Sequence, residues 1–76
     1  MIILNADCAM KNTIKVERAK LNMTQTDLAQ QVNVSKQTIH SIETGRFVPS
    51  TVLAMKIARF FKTKVEDIFE LEPTDL

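Results

Sequence analysis

Between Thr24 and Glu43 the chain spells two short helices and a sharp turn closely enough to dictate what must be built around them. Thr24 can cap free helix amides with its hydroxyl, and Asp27, three places on, can reach back as in a capping box. A helix is therefore expected to begin near Gln25. Its apolar positions, Leu28, Ala29 and Val32, recur at the helical period, leaving Gln25, Thr26, Gln30 and Gln31 on the polar side. Asn33 falls where this helix must stop, and asparagine enters the left-handed conformation at small cost. Ser35 is the next cap, with Ile39 and Ile42 directed inward and Lys36, Gln37, His40 and Ser41 on other faces. Ala29 belongs where the two helices approach, because a larger side chain there would push them apart.

This pattern resembles the Cro/C1-type (XRE-like) helix-turn-helix regulators of phages, bacteria and archaea. The resemblance is carried by Thr24-Gln25, Leu28-Ala29, Val34-Ser35, Gln37-Thr38-Ile39 and Ile42-Glu43. It continues into Gly45-Arg46, Pro49-Ser50 and Leu53-Ala54, and covers about Lys11 to Phe69. Asn33 departs from the glycine usual in the family, which makes the turn slightly more costly. The resemblance implies a mainly α fold, a compact lambda-repressor-like DNA-binding domain of four to five helices. It also implies an ion pair between Arg18 and Glu43, base contacts from Lys36, Gln37 and Ser41, and a phosphate contact from Gln25.

Around the motif the reading stays helical. A first helix is expected over roughly Val16 to Leu21, with Val16, Ala19 and Leu21 inward and Lys15, Glu17 and Lys20 solvated. Gly45 can close the second motif helix by taking positive φ. Pro49-Ser50 then starts a helix of about Thr51 to Phe61, whose Leu53, Ala54, Ile57, Ala58, Phe60 and Phe61 should complete the core. A short helix near Val65 to Ile68 leads into Phe69-Glu70-Leu71-Glu72, which alternates as an edge strand would until Pro73 stops it. Ile2-Ile3-Leu4 and Lys11 to Ile14 are candidate strands, and the resemblance implies that an early strand pairs with the late one as a small two-stranded antiparallel element from the amino- and carboxy-terminal segments. Met10-Lys11 also resembles an ordinary protein start, so residues 1–9 read equally well as an extension. The expected layout is residues 1–10 as extension or strand, 11–72 as the helix-turn-helix domain with a carboxy-terminal dimerisation segment, and 73–76 as a tail.

The net charge of +1 conceals an asymmetry. All ten Lys and Arg residues fall between Lys11 and Lys64, against the four acids Asp7, Glu17, Asp27 and Glu43. Glu66, Asp67, Glu70, Glu72 and Asp75 stand together at the end, so a body of +6 is followed by an end of −5. A basic face can thus meet phosphates while the acidic end turns away. An enzyme is disfavoured: there is one His, one Cys, no glycine-rich phosphate loop and no carboxylate pair placed for acid–base work. The lone Cys8 and His40 form no metal-binding spacing, and no cofactor is expected. No apolar run reaches the roughly 18 residues of a membrane span, and a secretory leader is not expected, so the location read is cytoplasmic. No fused module for a small-molecule effector is expected either.

In a helix-turn-helix the start of the second helix enters the major groove while the first crosses the backbone. The candidates for base contact are therefore Lys36, Gln37, Thr38, Ser41 and His40, the last of which reads equally as a solvent-facing residue. Gln37 can give and accept at an adenine edge, Lys36 can donate to guanine or phosphate, and Thr38 can set its methyl on thymine. Arg46, Lys15 and Lys20 join Gln25 as phosphate candidates. The expectation is a transcriptional regulator, a repressor that binds a two-fold double-stranded operator as a homodimer. Phe61, Phe69 and Leu71 are the apolar candidates for the dimer contact. The alternative is an antitoxin-like or other protein-interaction module of the same build.

Overall fold

The computed structural model describes residues 11–72. A two-residue strand β1 (Lys11–Asn12) is followed by five helices: α1 (Ile14–Lys20), α2 (Gln25–Gln31), α3 (Lys36–Glu43), α4 (Thr51–Phe60) and α5 (Val65–Ile68). Strand β2 (Phe69–Glu70) closes the order and pairs antiparallel with β1, Lys11 opposite Glu70 and Asn12 opposite Phe69. The expected strand at Ile2-Ile3-Leu4 and the residue Cys8 lie outside the described residues.

Three helices start where their caps require. The Thr24 hydroxyl accepts from the Asp27 amide at 3.0 Å while the Asp27 carboxylate accepts from the Thr24 amide at 3.0 Å, a complete capping box. Ser35 and Ser50 each accept from the amide three residues on, at 3.1 Å. The helix ends are equally regular. Asn22, Asn33, Gly45 and Lys62 all have positive φ, between 55° and 79°. Each lets the next residue's amide reach back to a carbonyl in the last turn: Met23 to Arg18, Val34 to Ala29, Arg46 to Ser41 and Thr63 to Ala58. Lys62 bears a Cβ in this strained region, which the closing hydrogen bonds of the last turn help to hold.

The first helix differs from expectation in both start and phase. It begins at Ile14, which is fully buried, while Val16, Ala19 and Leu21 are exposed. The cause is Asn12, whose side-chain oxygen accepts from the Ile14 amide at 3.2 Å and starts the helix two residues early. With Ile14 inward, Arg18 follows one turn later on the same face, and Val16 and Ala19 are rotated to solvent. The remaining core comes from Leu28, Ala29, Val32, Ile39, Ile42, Leu53, Ala54, Ile57, Ala58, Ile68 and Phe69. Phe60 and Phe61 only flank it, packed edge to face with centroids 5.2 Å apart. The terminal strand is shorter than the alternation of Phe69 to Glu72 suggested: Phe69 turns inward, Glu70 outward, and Leu71 lies beyond it.

Candidate nucleic-acid interface

Because Ile39 and Ile42 are buried against the core, α3 must present its remaining faces outward. Gln37 and Ser41 follow each other at one turn's distance on one row, and Lys36 and His40 do so on the next. Gln37, Thr38 and Ser41 line a cleft of about 410 Å³ with Ser35, Arg46 and Phe47. The cleft thus brings together three of the candidate base-contacting residues and one phosphate candidate. Phe47, exposed beside Arg46, escaped sequence reasoning; its only signal was an aromatic residue directly after Gly45-Arg46. The Thr38 hydroxyl is hydrogen-bonded to that of Ser35 at 3.0 Å, which leaves the Thr38 methyl as its apolar contact. Lys36 is exposed at the start of α3, outside this cleft.

The other edge of α3 is tied down. Arg18 spans from α1 to the last turn of α3, where its Nε donates to Glu43 Oε2 at 2.6 Å and its Nη2 to Oε1 at 3.0 Å. The side chains are 12% and 6% exposed, so the pair is largely removed from water. Arg18 Nη1 also donates to the Met23 carbonyl at 2.8 Å, fastening the turn before α2 to the same anchor. The hydrogen bond to Glu43 raises the Arg18 pKa above its ordinary value, burial works against it, and the charge of Glu43 adds to the rise. Gln25 Nε2 donates to Glu43 Oε1 at 3.1 Å and lies 3.3 Å from His40 Nδ1. The Gln25 side-chain amide is thus engaged within the protein, by Glu43 and His40. At the carboxy end of α3, the Thr44 hydroxyl donates to the His40 and Ser41 carbonyls, and Asn12 Nδ2 donates to the Ile42 carbonyl at 2.8 Å.

The other candidates are dispersed. Lys15 and Lys20 lie exposed on α1, with Lys20 directed at Glu17 at 3.2 Å, and neither lines the cleft. Of the dimer candidates, Leu71 is 54% exposed and Phe61 half-buried, but Phe69 is 5% exposed. Phe69 lies instead in the chain's own core, at the β1–β2 pairing. An apolar surface that the sequence reading missed lies along α4, where exposed Val52 and Met55 line a groove of about 760 Å³ with Val65, edged by Arg59 and Lys62. Among the described residues no helix is long and apolar enough to cross a membrane, and no cluster of three or more His, Cys, Asp or Glu could hold a metal.

A helical domain in which a capped pair of helices exposes a polar row beside an arginine is the build of a DNA-binding regulator. The helix-turn-helix family profile matches residues 14–68, and the chain belongs to the Cro/C1-type (XRE-like) helix-turn-helix transcriptional regulators. It is 56% identical over 63 residues to an HTH-type transcriptional regulator of Methanocaldococcus jannaschii, covering 83% of this chain and 96% of that one. With the HTH-type transcriptional regulator YgzD of Bacillus subtilis it shares 46% over 63 residues, again 83% of this chain and 96% of the relative. Among solved structures, the clp gene regulator ClgR from Corynebacterium glutamicum superposes with a TM-score of 0.66 at 25% identity, covering 72% of this chain and 58% of that one. The SOS-response transcriptional repressor LexA from Eubacterium rectale shares the fold, with a TM-score of 0.71 at 23% identity over 84% of this chain and 68% of its own. The family is one of DNA-binding regulators and not a class of enzymes.

Proposed function

We propose that this regulator reads a specific operator by laying α3 in the major groove, with Gln37 and Ser41 at base edges and Arg46 on the phosphate beside them. The carrying observation is the cleft that gathers Gln37, Thr38, Ser41 and Arg46 on the exposed side of a helix whose opposite side is buried. Lys36, at the exposed start of α3, serves the same groove or its backbone, and Lys15 and Lys20 add attraction at longer range. On this reading the chain acts in the cytoplasm, on double-stranded operator DNA.

A homodimer supplies the second recognition helix that a two-fold operator requires, multiplying two weak half-site affinities. The contact between copies is assigned to the carboxy-terminal region, α4 through Leu71, where Val52, Met55 and Leu71 leave apolar surface exposed. We infer that such a dimer acts by excluding other proteins from the operator it covers, which makes it a repressor.

Selection of bound sequences from random DNA tests the reading. A two-fold enriched site is expected, and Gln37→Ala should erase preference at one base position in each half, at a cost of about 1–3 kcal/mol. Uniform weakening across sequences would move Gln37 to the backbone. A monomer by sedimentation at micromolar concentration, unchanged on DNA, would remove the dimer. Failure to enrich any sequence at low salt would favour a protein-interaction module.

A further inference from the structure

We propose that Gln25 is a positioning residue that fixes the tautomer of His40, so that His40 offers DNA a hydrogen-bond donor at Nε2. The proposal rests on the reading of α3 as the recognition helix, and its geometry can be tested without DNA.

The chain of inference begins at Glu43. Both of its oxygens accept hydrogen bonds from the Arg18 guanidinium, so Oε1 faces Gln25 as an acceptor. The Gln25 atom 3.1 Å from Glu43 Oε1 must then be the amide nitrogen, since the opposite flip would set two oxygens against each other. That nitrogen carries a second proton, and His40 Nδ1 lies 3.3 Å away. An amide N–H can only donate, so Nδ1 must present its lone pair, and a neutral imidazole then carries its proton on Nε2. A scaffold ion pair is thereby translated, through one amide, into the hydrogen-bonding character of an exposed ring on the recognition helix.

The consequence is selective. An Nε2–H on this exposed ring can donate to guanine O6 or N7, to adenine N7 or to thymine O4. It cannot accept from the amino group of cytosine or adenine. His40 in this tautomer therefore favours an acceptor at the base edge it reaches, and loses that bias if Gln25 no longer donates to Nδ1.

Two measurements decide the matter. Long-range 1H–15N spectra of the free, 15N-labelled protein at mildly alkaline pH should show His40 as the Nε2–H tautomer, and Gln25→Met, which keeps length but removes the donors, should shift it towards a mixture. A wild-type ring protonated on Nδ1, or a tautomer ratio unchanged in Gln25→Met, overturns the proposal. On the operator found by selection, Gln25→Met and His40→Ala should each lower preference at the same base position by about fivefold, and the double variant should lower it no further. Equal weakening on every sequence by Gln25→Met also overturns the proposal, because it makes Gln25 a backbone contact. If the wild type enriches no sequence, the operator reading falls, and the DNA half of this proposal with it, while the spectra still decide the geometry.

Discussion

Arg18 and Glu43 meet through two nitrogens and two oxygens, at 2.6 and 3.0 Å, across 25 residues of chain. The pair joins α1 to the end of α3, and its removal from water makes its loss expensive. Arg18→Ala should destabilise by about 3–5 kcal/mol in urea denaturation, because it leaves a largely covered carboxylate without its charged partner. A change below about 0.5 kcal/mol, the range of surface pairs, would show that water reaches the site. Arg18→Lys should recover only part of the loss, since an ammonium cannot hold the fork on Glu43 and also reach the Met23 carbonyl. A group whose folded pKa is raised keeps its contribution at every pH below the unfolded value and loses it only above. The Arg18 shift therefore predicts no loss of stability from this arginine between neutral and moderately alkaline pH.

Asn12 serves two helices at once, accepting from the Ile14 amide at the start of α1 and donating to the Ile42 carbonyl near the end of α3. Asn12→Ala should cost about 1–3 kcal/mol in the same denaturation assay, the range for stranding part-buried polar groups. Asn12→Asp should do no better, because it keeps the acceptor for Ile14 while placing an anion against the Ile42 carbonyl. Wild-type stability in both variants would mean that water replaces the side chain at no cost.

Ala29 is 2% exposed within the α2–α3 motif. Ala29→Leu should destabilise by roughly 1–3 kcal/mol through overpacking. A melting temperature equal to that of the wild type would show slack between the helices where none is expected.

Lys62 offers the opposite case. Its φ of 58° is a conformation that a glycine takes without strain. Lys62→Gly should raise stability by up to about 1 kcal/mol, the relief of the left-handed strain exceeding the entropy glycine adds to the unfolded chain. A fall in melting temperature would mean that the lysine stem contributes more at the α4 groove than its backbone costs.

What the sequence made legible were features whose partners lie within a few residues. Thr24, Ser35 and Ser50 could be read as caps because each bonds an amide three places on, and Asn33 could be read as a turn because the motif on either side demanded one. The phase of α1 was misread because the helix is only seven residues long and its one fully buried anchor, Ile14, sits at the first position. The start of that helix depends on Asn12, whose other partner is 30 residues away and invisible to any local pattern. Phe69 looked like an exposed strand residue because alternation does not tell which face is covered; the pairing with β1 decides it. At the candidate site, helical spacing gave the outward residues of α3, but not the approach of Arg46 and Phe47 to Gln37, nor the amide between Glu43 and His40. Those juxtapositions depend on how the turn after α3 folds back and on how α2 lies across it.

The pairing of Lys11 with Glu70 has an architectural consequence. The strands that bound the described domain lie side by side, so the backbone enters and leaves at one doorway, with a gap of about 5 Å between the two passages. A unit of that shape is a cassette. It can be spliced into an exposed loop of a host protein, or strung in tandem on short tethers, without stretching either end or disturbing the helices between them.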